Sequence, residues 1–345
     1  MTKFILTNGI SVDNLQGDYS KFFIQDNGKD KEYFSRYWYK GDSILYELDN
    51  LCVKLYDIFE NKIFDVNKEY EINVYLMPQG VSRSGLDSEL HISKEGFERM
   101  FMTNLSSIYK IDGKELKGSL EKKLNEIDSM KYRYAYLADC QSLINTLQEL
   151  IQGSNSSFIG FYKLLSGVPA KKDFCDDYYS ISPEGRLVYN MLYSLIIQVH
   201  SMFDILTKIV YEFENIRDCT TSYKKLASNK ILFGKSNMIT KINKEGTIFE
   251  KNRLVSIFKS LRNEIVHNAT WEMNPKIFFK IEDSILKERC IYLPDFDSDG
   301  KLVSFVNRKR FFSEGKKVNE ELPSLYLGIL EKINNTLLEI VRVFR

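Results

Sequence analysis

Residues 253–271 read R-L-V-S-I-F-K-S-L-R-N-E-I-V-H-N-A-T-W. Leu254, Ile257, Phe258, Leu261 and Ile265 recur at i, i+3, i+4, i+7 and i+11, the spacing of one buried helical face. On an ideal helix the five lie within an arc of roughly 100°. Asn263 and His267 are four residues apart and share the face opposite that stripe, and Arg262 sits on the flank between the two faces. The stretch therefore predicts a helix that turns a carboxamide, an imidazole and a guanidinium away from its own core. Glu264 is expected as a solvated charge.

A helix with one apolar stripe needs a partner. The strongest candidate runs from Gly185 to about residue 213, with Ser182 as its N-cap and Pro183 at its first position. It is apolar nearly all round, as a central helix should be. Its polar exceptions, Asn190, Ser194, Ser201, Asp204 and Lys208, fall within about 40° of a common line, so the helix faces a cleft or an interface. The same periodicity predicts helices over 44–62, 93–109 and 119–152, and a final helix that Pro323 would start. Alternation and flanking turn signals predict strand-like pieces near residue 4, at 19–25 and at 70–77. The segments I-F-F-K-I-E-D and R-C-I-Y-L after Trp271 predict a small hairpin. Residues 215–250 read as a charged connection with one short helical piece. G-S-N-S-S at 153–157 reads as a helix end, and 158–183, with its two prolines, as the domain boundary. The expectation is a mainly α protein: a mixed α/β region over 1–170, then a helical bundle with a small β insertion over 171–345.

Composition bounds the function. The 345 residues suffice for two domains, and 48 Lys+Arg against 47 Asp+Glu leave a net charge of +1, so any basic site must be a local patch. Five cysteines at wide, irregular spacings, with no C-x-x-C, fit reduced thiols in a cytoplasmic protein. The N-terminus lacks the apolar run of a signal peptide, and the 187–211 segment is too interrupted by polar residues to span a membrane. No H-E-x-x-H, nucleophile elbow or G-x-G-x-x-G appears, and D-S-D-G at 297–300 falls short of a calcium loop, so no metal or cofactor is expected. His91 alternates along a possible strand. His200 lies four residues before Asp204 and reads best as a satisfied core histidine.

Cleaving RNA without a metal requires a proton shuttle at the 2′-hydroxyl and the leaving oxygen, and a cation on the phosphate. Histidine suits the first task because its unperturbed pKa lies near about 6.5. Arginine suits the second because its planar fork matches phosphate oxygens. Asn263 can fix the ring or donate to phosphate. Arg262 and His267 are splayed by about 140° on a continuous helix, so they converge only if the helix frays near His267 or if two copies face each other. Arg308, Lys309 and Arg310, beside Phe311 and Phe312 and followed by Lys316 and Lys317, form either an RNA-backbone patch or a solvated loop.

Arg262-Asn263-x-x-x-His267 resembles the R-N-x-x-x-H motif of the HEPN superfamily of helical ribonucleases. The resemblance covers at most residues 180–345. It implies a metal-independent endoribonuclease acting by 2′-hydroxyl attack, with Arg262, Asn263 and His267 catalytic. It implies that Ser201 and Asp204 supply the polar position often found on the partner helix. It also implies a homodimer whose two motifs form one cleft, RNA as partner, and a place in a toxin or phage-defence system, abortive infection included, with an antitoxin or other defence protein. A non-catalytic RNA-binding or assembly module on the same helical dimer is the other expectation. A scaffold whose cleft takes a partner helix, with Arg262 and His267 complementing a helix dipole, is the third.

Overall fold

The computed structural model describes residues 44–63, 118–171, 176–219, 221–232, 240–268, 270–272, 274–306 and 308–345, together with four short strands near the N-terminus. The predicted elements at 70–77 and 93–109, and His91, lie outside these residues. In chain order the elements are β1 (Phe4–Ile5), β2 (Ser11–Val12), β3 (Phe23–Asp26), β4 (Lys29–Glu32), α1 (Ile44–Ile63), α2 (Gly118–Gly167), β5 (Tyr178–Ser180), α3 (Pro183–Glu214), α4 (Asn229–Leu232), α5 (Arg253–Asn268), β6 (Ile277–Glu282), β7 (Ile285–Cys290) and α6 (Val318–Phe344). The protein is mainly α with small antiparallel sheets. β1–β4 form a meander, and β5–β6–β7 form a second sheet. No helix among the described residues is long and apolar enough to cross a membrane.

The chain divides into two compact units interleaved in sequence. One comprises Met1–Leu51, Leu147–Asp204 and Asn243–Glu339, the other Cys52–Thr146, Ile205–Ile242 and Ile340–Arg345. A division at 170/171 would cut through the first of these.

In the first unit the C-terminal part of α2, the N-terminal part of α3, α5 and most of α6 share one core, including Phe158, Phe161, Leu192, Leu195, Phe258, Leu261, Ile329 and Leu330. Each such side chain contributes about 2 kcal/mol of gross burial. α2 does not stop at 153–157. The hydroxyls of Ser154 and Ser156 donate back to the carbonyls of Ile151 and Gln152, and Ser157 donates to Ser194 at 3.1 Å, so the serines are satisfied inside a helix. The glycines of this run serve contact. A Cβ on Gly153 would stand 3.1 Å from Gln198 Oε1, and one on Gly160 would stand 2.9 Å from Met191 Sδ. α2 and α3 therefore approach closely where a single sequence signals a break.

α6 begins at Val318, so Pro323 lies within the helix rather than at its start. Proline cannot donate to the carbonyl four residues back. That carbonyl, on Asn319, accepts the Tyr162 hydroxyl at 2.8 Å instead. The predicted hairpin is present as β6–β7, turning through Asp283 and Ser284, both at positive φ (52° and 58°), the mirror-image turn that suits twisted strands. β5, from the expected boundary segment, adds a third strand through Tyr178↔Phe279. α3 starts as expected, with Ser182 Oγ accepting the Gly185 amide at 3.1 Å.

The second unit holds the remaining parts of the long helices around the stacked rings of Phe59 and Phe213, 3.7 Å apart. Its buried Glu212 is fully engaged. It accepts from Tyr136 at 2.8 Å and from the Ala227 amide at 2.6 Å, and pairs with Arg217. Burial first, then neighbouring Cys140 and Glu212, push the Tyr136 phenol far above its usual range.

Candidate functional site

α5 is held at both ends. Asn252 caps it, with its side-chain oxygen accepting the Leu254 amide at 2.8 Å. Val255, Ile257, Phe258, Leu261 and Ile265 are buried, and Leu254 lies against Gly328 of α6, where a Cβ would come within 2.7 Å of its Cδ2. Beyond Asn268 the chain is clamped to α3. Trp271 packs against Tyr193 and Tyr189, the Tyr193 hydroxyl meets Thr270, and the Tyr189 hydroxyl donates to Lys276 O at 3.1 Å. His267 therefore stands one turn from a rigid anchor.

On the outer face of α5, Asn263 and His267 are exposed and line one open groove of about 500 Å³. Ser256, Lys259 and Ser260 complete the helical wall, and Lys301, Leu302 and Lys309 form the opposite one. Lys259 and Lys301 are in no ion pair among the described residues, so the groove carries unneutralised positive charge beside an imidazole and a carboxamide.

The second wall belongs to the excursion between Asp295 and Ser313. Its base is locked by the Asp295 carboxylate, which accepts the Ser313 amide at 2.7 Å, the Ser313 hydroxyl at 2.6 Å and the Glu314 amide at 3.1 Å. Burial alone would raise this carboxyl, but these hydrogen bonds and nearby Lys316 outweigh it and hold the group below its usual range. Within the excursion, D-S-D-G forms a turn in which Asp297 accepts the amides of Asp299 and Lys301. Gly300, at φ +80°, seats this turn on α5. A Cβ there would lie 2.3 Å from Arg253 O, and its carbonyl accepts from Ser260 at 3.2 Å. The turn sets Lys301 across from His267.

The three motif residues do not converge within one chain. α5 is regular through Asn268, and Arg262, half-buried on the other flank, donates to Asn263 Oδ1 at 3.1 Å and does not line the groove. Ser201 and Asp204 do not line it either. The Ser201 hydroxyl donates to Ile197 O at 3.0 Å, and Asp204 lies 3.6 Å from His200 Nδ1, so the His200–Asp204 pair forms along α3.

Glu264 corrects the expectation of a solvated charge. It is buried at 5% exposure, accepts from Asn268 at 2.9 Å and pairs with Lys309 at 3.6 Å. The physical reason is angular: its position on the helix lies about 20° from Ile257, at the edge of the apolar stripe. Lys316 and Lys317 both sit in ion pairs. The first pairs with Glu314 at 2.5 Å, and the second with Glu288 at 2.6 Å and Glu320 at 3.0 Å. Arg308, Lys309 and Arg310 do face solvent-open space, lining a larger groove of about 1170 Å³ with Trp271, Lys276 and Phe312. Periodicity missed Lys259, Lys301 and Glu264, because two of them depend on which loop returns to the helix.

Among the described residues no three His, Cys, Asp or Glu side chains are grouped to hold a metal ion. No family model matches the chain, and neither a curated protein nor a solved structure matches it.

Proposed function

We propose that this chain is an endoribonuclease that cuts RNA by attack of a 2′-hydroxyl on the adjacent phosphate, as a cytoplasmic effector of a toxin or phage-defence system. The observation that carries it is the shared groove: an exposed imidazole and carboxamide one turn apart, with Lys259 beside them on the helix and Lys301 on the opposite wall, neither lysine in an ion pair among the described residues. In the reaction the 2′-oxygen–phosphorus bond forms and the phosphorus–5′-oxygen bond breaks, leaving a cyclic phosphate and a 5′-hydroxyl. His267 takes the 2′-hydroxyl proton, a protonated imidazole returns one to the departing oxygen, and cations hold the charge that builds on phosphate.

Because α5 is regular, Arg262 of one copy reaches the His267 groove only from a second copy. The proposal therefore includes a homodimer with composite sites, restrained by an antitoxin or another defence protein. Incubation with total RNA in EDTA tests the activity; cutting is expected, and its absence would end the proposal. Mixing tests the geometry. Arg262→Ala and His267→Ala proteins are each expected to be inactive, and together to regain cleavage, since a mixed dimer rebuilds one complete site. If each variant folds and cuts like the parent, neither residue is catalytic.

The separation of Arg262 from His267 within one chain favours a second reading, a dimeric RNA-binding module without turnover. Salt-sensitive RNA binding with no cleavage would select it.

A further inference from the structure

Resting on the ribonuclease proposal, we infer that the larger groove beside the His267 groove binds unpaired nucleotides of single-stranded RNA flanking the cut. The two grooves share Glu264, Asn268 and Lys309, so they adjoin across the Lys309–Glu264 pair. A strand leaving the first groove past that pair enters the second. Its walls suit bases rather than a duplex. Trp271 is 1% exposed, yet its Nε1–H has no acceptor among the described residues, a donor that a base carbonyl or phosphate oxygen reaching it would satisfy. Phe312 lines the same groove, and Arg308 is exposed with its guanidinium 5.7 Å from the Phe311 ring centre, a flat cationic platform for stacking.

The cations are pre-set. Arg310 donates to Thr270 O at 3.4 Å, and Lys309 rests on Glu264. The turn above the groove carries Val306 at 83% exposure and φ +54°, a conformation that β-branched residues avoid. Strain of this kind persists where a tip is used, and Val306 lines the groove rim. In A-form duplexes, base faces are stacked away and base edges are poorly displayed, so duplex RNA has little to offer aromatic and carboxamide walls.

The test uses the full-length His267→Ala protein, so that bound RNA survives. Anisotropy is measured with a labelled single-stranded oligoribonucleotide and with the same sequence as duplex, each with and without Arg308→Ala. The expected result is preference for the single strand and a loss of about tenfold in its affinity in the Arg308→Ala protein. Equal affinity for duplex, or single-strand affinity within about twofold after Arg308→Ala, would overturn the site. Cleavage by the parent chain is followed separately. If the parent does not cut, the nuclease proposal falls, while the anisotropy still decides this groove.

Discussion

Replacing Gly300 by alanine removes nothing and adds one methyl group, which makes its cost traceable. At φ +80° an L-residue loses roughly 1–2 kcal/mol against glycine. The new Cβ would stand 2.3 Å from the Arg253 carbonyl oxygen and 3.1 Å from Ser256 Cβ, and the first obstacle is backbone that cannot rotate aside. The turn must lift from α5, losing the Ser260–Gly300 hydrogen bond, worth about 1 kcal/mol. The expected destabilisation is about 3 kcal/mol, read by urea unfolding of parent and variant. Gly315→Ala is the control. It has a similar φ of +62° but open space around the built Cβ, so it should show only the dihedral cost of about 1 kcal/mol. Equal losses at the two glycines, or a Gly300→Ala loss below about 0.5 kcal/mol, would refute the claim that this turn is seated on the helix. Lifting the turn also moves Lys301, so RNA affinity should fall in the same variant.

Three further outcomes follow from the same coordinates. Asp295 has a carboxyl held below its unfolded value, so its stabilisation is present above about pH 4 and is lost as pH falls through the folded value. Asp295→Asn should lower stability at neutral pH and flatten the acid limb of a melting-temperature profile; an unchanged limb would count against the lock. Tyr162→Phe removes the donor that reaches Asn319 O where Pro323 cannot, and should cost about 1 kcal/mol by chemical denaturation, against no loss if the phenol is incidental. Val306→Asn relieves a left-handed conformation and should raise stability by about 1 kcal/mol; a lower melting temperature would mean that the valine side chain is needed for packing.

What the chain reveals of this fold in one dimension is set by the range of the interactions involved. The stripe on α5, the Ser182 cap and the alternation of β6 are local patterns that form as their spacing predicts, whereas β7 runs Ile285–Cys290, four residues earlier than R-C-I-Y-L. The misses involve partners distant in sequence. G-S-N-S-S looks like a terminus until Gln198 and Ser194 are brought against it, and Pro323 looks like a start until Tyr162 meets Asn319. Tyr178–Ser180 reads as linker because an edge strand of three residues has no periodicity of its own. At the site, Asn263 and His267 share a face because four residues make about one turn. Lys259 has no meaning in the sequence until Lys301 and Lys309 arrive from 40 to 50 positions downstream.

The interleaving of the first unit has a consequence for biosynthesis. Phe158 stacks on Tyr326 at 5.0 Å, and Ser154 shares a hydrogen bond at 2.8 Å with that same tyrosine, 172 positions downstream, so this part of the core waits on residues of α6. A nascent chain paused before α6 would hold the groove-forming helix without the surface it closes against. The proposed nuclease would thus stay unassembled on the ribosome, surrounded by the very polymer it is meant to cut, until α6 has been made.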